Sequence, residues 1–231
     1  MYTFKEFPDQ QSLVTSLANH IGERLSAGIE ADNKGSLAVS GGSTPVDLFE
    51  YLSGLDLAWD KIFITLVDER WVEPADNDSN EHLVRTHLLK DKAAAATFVG
   101  MKNSAATAGA GERECEQAQH TVPRPFDVLI LGMGGDGHTA SLFPGAAKPA
   151  AATDMHSGRI CMGIAPVTAP HERMTLTLPA ILDAREIIVH ITGQAKKEVL
   201  DKALADGPAE EMPIRFILRQ QTVPVTVYWA P

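Results

Sequence analysis

The sequence predicts an α/β fold, an open, doubly wound, mostly parallel sheet with helices on both faces. Three observations carry that expectation. Short apolar runs, 126–131 above all, have the pattern of strands buried on both faces. Such runs alternate with amphipathic helical stretches, which implies parallel strands joined by crossover helices. Finally, three of the runs end in loops rich in Gly, Ser, Asp and Arg, where open α/β sheets place their sites.

The first helix is expected over 10–27, because Val14, Leu17, Ala18, Ile21 and Leu25 recur at helical spacing. Gly28 and the polar stretch 30–35 close it. A brief strand, 36–40, feeds Gly41-Gly42-Ser43-Thr44-Pro45, in which Thr44 suits an N-cap and Pro45 a first helical position. That helix should run to about Leu52. The strand 61–67 ends in Asp68-Glu69-Arg70-Trp71 and a polar loop through Asp78, after which Ser79 caps a helix to about Leu89. An alanine-rich region follows, with a short strand at 97–99 and a helix over 111–119. The central strand, 126–131, stands behind a Pro-Arg-Pro turn. Beyond it, 146–152 reads as a flexible surface loop, 160–165 and 173–178 as strands, 186–191 as a strand, 194–204 as a helix and 223–229 as the closing strand. No repeat, low-complexity tract or linker divides the chain, so 1–231 is expected to form a single domain.

Composition narrows the function. The chain is 44% hydrophobic and 22% charged, ordinary for a soluble globular protein, and its formal net charge is −10. An acidic balance argues against nonspecific binding to nucleic acid or to an anionic membrane, both of which rely on basic surface. An anionic substrate would therefore need its cations concentrated in one pocket. Cys115 and Cys161 stand at no metal-ligand spacing and read as free thiols of a reducing compartment. The first residues lack the apolar segment of a signal peptide and no run is long enough to span a membrane, so a cytoplasmic protein is expected.

Three strand-end motifs carry the chemistry. Gly41, Gly42, Ser43 and Thr44 lie between a strand and a helix N-terminus, where free backbone N–H groups, the helix dipole and two hydroxyls favour an anion, most simply a phosphate. The turn is neither a P-loop, lacking Gly-Lys-Ser/Thr, nor a nucleophile elbow, since Pro45 occupies the last glycine position. Arg70, behind Asp68 and Glu69, offers a planar guanidinium to a phosphate or carboxylate, a salt bridge to a neighbour being the alternative. The central stretch 132–138 holds four glycines in six positions, then His138 two residues after Asp136. It matches the dinucleotide fingerprint in letters only, because Pro144 forbids the long helix that motif requires. An imidazole can take a proton from water near neutral pH, and a nearby carboxylate can orient it. Arg173 and Lys196, each at the start of an element, complete the basic inventory.

Taken together, Ser-Gly-Gly-Ser-Thr-Pro (40–45), Asp-Glu-Arg (68–70) with 77–80 after it, Gly-Met-Gly-Gly-Asp-Gly-His-Thr-Ala-Ser-Leu-Phe-Pro-Gly (132–145), Arg-Met-Thr-Leu-Thr (173–177) and Gly-Gln-Ala-Lys (193–196) resemble the 6-phosphogluconolactonase family. The resemblance implies a fold similar to the glucosamine-6-phosphate deaminase and ribose-5-phosphate isomerase group. It also implies hydrolysis of 6-phosphogluconolactone to 6-phosphogluconate in the oxidative pentose phosphate pathway, with no metal or organic cofactor. The partner would then be a phosphorylated sugar lactone and the chain a monomer, a homodimer being the alternative. On this reading His138 activates water, and Asp136 and Asp68 orient the imidazole and the sugar hydroxyls. Gly41, Gly42, Ser43, Thr44 and Arg70, with Arg173 or Lys196, hold the phosphate. Amides around Gly134 and Gly135, or an arginine, receive the oxyanion. The deaminases share the turn and the Asp-Gly-His core, but where they resemble Ile-Ala-Phe-Asn-Glu-Pro this chain reads Thr-Ala-Ser-Leu-Phe-Pro. Phe143 thus replaces a carboxylate, and their Asp-Glu-Tyr is here Asp-Glu-Arg. A deaminase-like enzyme and a non-catalytic sugar-phosphate-binding regulator are the competing readings.

Overall fold

Ten strands and eight helices are seen in the computed structural model, which describes residues 2–145, 149–166 and 169–231. In chain order the strands are β1 (Tyr2–Glu6), β2 (Gly35–Val39), β3 (Ile62–Leu66), β4 (Asp68–Arg70), β5 (Thr97–Val99), β6 (Val128–Leu131), β7 (Cys161–Ile164), β8 (Arg173–Leu176), β9 (Ile187–Thr192) and β10 (Val225–Ala230). The helices are α1 (Gln10–Asp32), α2 (Val46–Ser53), α3 (Asn80–His87), α4 (Ala108–Gln119), α5 (Pro149–Thr153), α6 (Leu178–Ile181), α7 (Gln194–Leu204) and α8 (Ile214–Arg219).

Seven strands form one sheet in the order β1-β10-β9-β6-β2-β3-β5, every pair parallel. Every residue of β2 and β6 is buried, as expected of central strands covered on both faces. Helix α1 supplies one cover, burying Leu13, Leu17, Ile21 and Leu25. Among the described residues no helix is long and apolar enough to cross a membrane.

The differences from expectation have local causes. Helix α1 does not stop at Gly28 but runs to Asp32, ending at Asn33 in the left-handed region with φ 55°. Gly28 is instead a close approach: a Cβ there would lie 2.5 Å from the buried Asp127 carboxylate. Thr44 makes no cap. The helix begins at Val46 with Pro45 before it, and the threonine hydroxyl stays out of the backbone ladder. Strand β1 leaves little apolar signal in the sequence, because it is a mostly exposed edge strand that among the described residues pairs only with β10. The segments after 160 and 173 are strands as expected. They do not join the parallel sheet, however, but form a small antiparallel sheet, β4-β8-β7, with residues 68–70 that had read as loop. Of the surface loop expected at 146–152, residues 146–148 lie outside the described residues and 149–152 belong to α5.

Candidate active site

The carboxyl ends of β9, β6, β2 and β3 lie side by side along one rim of the sheet, and a cavity of about 380 Å³ opens there. Its walls include the 41–44 turn, Asp68, Arg70, Gly134, Gly135, His138 and Lys196, so the three motifs far apart in sequence meet in one space. Ser40 joins two rim strands, its hydroxyl donating to the Ile130 carbonyl at 3.0 Å and accepting from the Gly132 amide at 3.1 Å.

Strand β4 sets the next wall through a buried acid. Glu69 is fully buried, and its carboxylate accepts from the amides of Arg70, Asn80 and Glu81 and from the Ser79 hydroxyl, at 2.7–3.0 Å. Burial pushes the Glu69 carboxyl above the usual range, against the pull of those donors. The bonds clamp β4 to the start of α3, leaving the residues on either side of Glu69, Asp68 and Arg70, at the cavity. Replacing Glu69 with glutamine would set an amide against these donors, so Glu69→Gln should lower unfolding stability by at least about 2 kcal/mol in urea titration.

Asp68 is held on both sides. Its Oδ2 accepts from the Ser141 hydroxyl at 2.6 Å, and the Asn80 side-chain amide donates to its carbonyl at 2.8 Å. Asn80 also explains Gly41, where an added Cβ would lie 1.9 Å from the Asn80 Oδ1. Arg70 makes no side-chain ion pair with a neighbour among the described residues. Its Nη1 donates to the Asp78 carbonyl at 2.5 Å, and the residue lines the cavity. Arg173 is its cross-strand partner but does not reach the cavity wall; it is buried, with Nη1 unpartnered among the described residues. Burial and then the charge of Arg70 push the Arg173 guanidinium below its ordinary value, with Asp68, Glu69 and Asp78 opposing. Lys196, in the first turn of α7, reaches the cavity and donates from Nζ to the Met133 carbonyl at 2.6 Å. Gly42 takes φ 91° in the 41–44 turn, and the hydroxyls of Ser43 and Thr44 carry no internal hydrogen bond among the described residues.

The loop after β6 presents the imidazole. His138 Nδ1 lies 2.6 Å from Asp136 Oδ1, which also accepts from the His138 amide at 3.0 Å. Partial burial opposes ionisation of Asp136, but the His138 amide and ring outweigh it and hold that carboxyl below its usual range. On its other side the ring tilts against Phe143, centroids 4.6 Å apart. With Nδ1 bound to the carboxylate, Nε2 is the nitrogen left for chemistry. Of the four glycines in 132–137, only Gly137 adopts a positive φ, of 81°. Gly134 is there for space, since an added Cβ would lie 2.1 Å from His138 Nδ1. Its N–H is already committed to the His138 carbonyl at 2.8 Å, so of the two loop amides expected to receive an oxyanion only that of Gly135 is available.

Sequence reasoning assigned no role to Asn80, Ser141 or His190. Asn80 and Ser141 sit within recognised motifs, but nothing in a linear sequence distinguishes a side chain that braces a neighbour from one that caps a helix. His190 lies in an apolar strand and lines the cavity from β9.

The sheet order and the rim cavity define an α/β protein with a site at the carboxyl ends of its parallel strands. The chain belongs to the glucosamine-6-phosphate isomerase/6-phosphogluconolactonase family, whose model matches residues 8–229. It is 44% identical over 225 residues to 6-phosphogluconolactonase of Rhizobium meliloti (strain 1021), covering 97% of each chain. The crystal structure of a 6-phosphogluconolactonase from Shewanella baltica OS155 superposes with a TM-score of 0.98 at 44% identity, covering 100% of this chain and 98% of that one. A monomeric glucosamine-6-phosphate deaminase shares the fold at a TM-score of 0.79 and 18% identity, over 99% of this chain and 97% of that one.

Proposed function

We propose that this protein hydrolyses 6-phosphogluconolactone to 6-phosphogluconate, with His138 as the general base. The observation that carries the reading is the Asp136-bound imidazole on the wall of a cavity that also holds Arg70, Lys196 and the 41–44 turn. Relatives named 6-phosphogluconolactonase along nearly the whole chain support the substrate.

The phosphate dianion binds where the α2 N-terminus, Ser43, Thr44 and the cations converge. A water between His138 Nε2 and the lactone carbonyl loses its proton to the imidazole as its oxygen bonds to C1. Asp136 stabilises the imidazolium without taking the proton. The carbonyl oxygen gains the negative charge, for which the Gly135 N–H is the available donor. Collapse breaks the bond between C1 and the ring oxygen, and the imidazolium returns its proton to that oxygen. The product is the open-chain acid. Asp68, fixed by Ser141 and Asn80, orients ring hydroxyls, and Arg173 backs Arg70 from the adjoining strand.

The deciding assay sets lactone hydrolysis against ammonia release from glucosamine 6-phosphate by the purified protein; deamination without lactone turnover overturns the reading. Phe143 supports the lactonase, since an apolar ring in van der Waals contact with His138 cannot shuttle protons. Arg70→Ala should raise KM for the lactone about 10–100-fold, the worth of a charged hydrogen bond to phosphate. An unchanged KM in steady-state kinetics would take Arg70 out of substrate recognition. The same reading makes the protein a cytoplasmic monomer, and light scattering on an eluting size-exclusion peak tests the monomer against a homodimer.

A further inference from the structure

We infer that Met212 is a positioning residue for His138: laid across Gly137, its side chain seats the loop that carries the imidazole, an inference that rests on the lactonase reading above. A loop with four glycines in six positions is conformationally soft, so its neighbours must impose the place of any side chain it carries. The peptide that joins Gly137 to His138 is held at both of its polar atoms. Its carbonyl oxygen accepts from the Ile214 amide at 2.9 Å, and its N–H donates to Asp136 Oδ1 at 3.0 Å. Because a peptide unit is planar, these two bonds leave it chiefly a rocking motion about the line between them.

Met212 blocks that rocking. A Cβ built on Gly137 would lie 2.8 Å from Met212 Cε, 2.9 Å from its Cβ and 3.1 Å from its Cγ, so the thioether chain lies flush against the glycine. Met212 is itself anchored at both ends of its backbone. Its N–H donates to the Ala209 carbonyl at 3.2 Å, and its carbonyl accepts from the Arg215 amide at 2.8 Å. The buried Arg215 guanidinium ties this segment to the end of α7, donating to the carbonyls of Lys202, Ala203 and Pro208 at 2.8–3.1 Å. At its other end α7 carries Lys196, whose ammonium holds the Met133 carbonyl of the same glycine loop. Residues 212–215 thus brace the loop from outside, and Met212 supplies the side-chain contact. It is half-buried and does not line the cavity, so its influence on the reaction passes through the loop.

Met212→Ala should lower kcat for the lactone about 10-fold, a fraction of what displacement by a full ångström costs, with KM within about twofold of wild type. Met212→Leu, which keeps Cβ and Cγ against Gly137, should recover most of that loss. Placed on His138→Ala, Met212→Ala should cost nothing more, because the base through which it acts is gone. A second readout needs no turnover. With histidine side chains labelled in ¹⁵N, the His138 ring resonances, identified by their absence in His138→Ala, should move in Met212→Ala and much less in Met212→Leu. Should the alanine variant fail to fold in urea titration, Met212→Val, which stays apolar but loses the Cε contact, carries the same test. An unchanged kcat, an equal loss with and without His138, or ring resonances that stay in place overturns this inference alone. Wild-type protein with no lactone turnover overturns the lactonase reading instead, and the ring resonances then still decide whether Met212 seats the imidazole.

Discussion

His138→Ala should lower kcat for lactone hydrolysis by about 10²–10⁴-fold, the usual worth of a positioned general base, with KM within a few-fold of wild type. The split between the two constants follows from the geometry. The imidazole hangs on the glycine loop with Asp136 and Phe143, whereas the phosphate-binding groups belong to the turn between β2 and α2, to β4 and to α7. Removing the ring leaves those groups in place, so substrate still binds and water simply loses its proton acceptor. Because the lactone also opens unaided in water, the variant's rate must be measured at enzyme concentrations well above background and with the uncatalysed rate subtracted. Turnover within about fivefold of wild type would remove His138 from the base role, because a base worth so little lies below the usual range. Asp136→Asn should cost less, since that carboxylate is partly exposed and water can screen its loss.

Much of this site is legible in the linear sequence, for a physical reason. A buried parallel strand must be apolar and must end at the sheet rim, so a run such as 126–131 announces where its following loop will stand. The polar residues after three such runs, near 41, 68 and 134, therefore fall on one edge, and the cavity forms where those strands are neighbours. Arg173 shows the limit of that logic. Its strand is apolar and its position basic, but β8 runs antiparallel in the small sheet, which puts the guanidinium behind Arg70 and off the cavity wall. Gly28 misleads in the same way: a glycine ending a helical pattern reads as a stop, yet here it marks contact with Asp127, 99 residues away in sequence. Contacts between distant residues leave no local trace. The sequence reveals where chemistry must lie, while Asn80 beneath Gly41 and His190 at the rim emerge only from packing.

The second large effect is expected at a residue with no side chain. Gly134→Ala should reduce kcat about 10²-fold, comparable to a displacement of the reacting group by an ångström. The new methyl carbon would sit 2.1 Å from His138 Nδ1, 2.2 Å from the adjacent ring carbon and 2.7 Å from Asp136 Oδ1. Three such contacts cannot coexist with the Asp136–His138 bond, so the ring must swing away from its carboxylate or the loop must shift. Phe143, whose ring centroid lies 4.6 Å from that of His138, limits the room into which the imidazole can move. The backbone strain is small by comparison, since Gly134 does not adopt a left-handed φ and alanine can take its conformation. The unfolding midpoint should therefore change little while turnover falls, and a loss of activity matched by a loss of stability would point to a collapsed loop instead. Adding Asp136→Ala to Gly134→Ala sharpens the test. If the methyl acts by breaking the carboxylate–imidazole pair, the double variant should be scarcely slower than Gly134→Ala alone, because the second substitution removes a partner already lost. Fully additive losses would mean that the two residues serve the reaction independently, and that Gly134 is constrained for a reason other than the seat of His138.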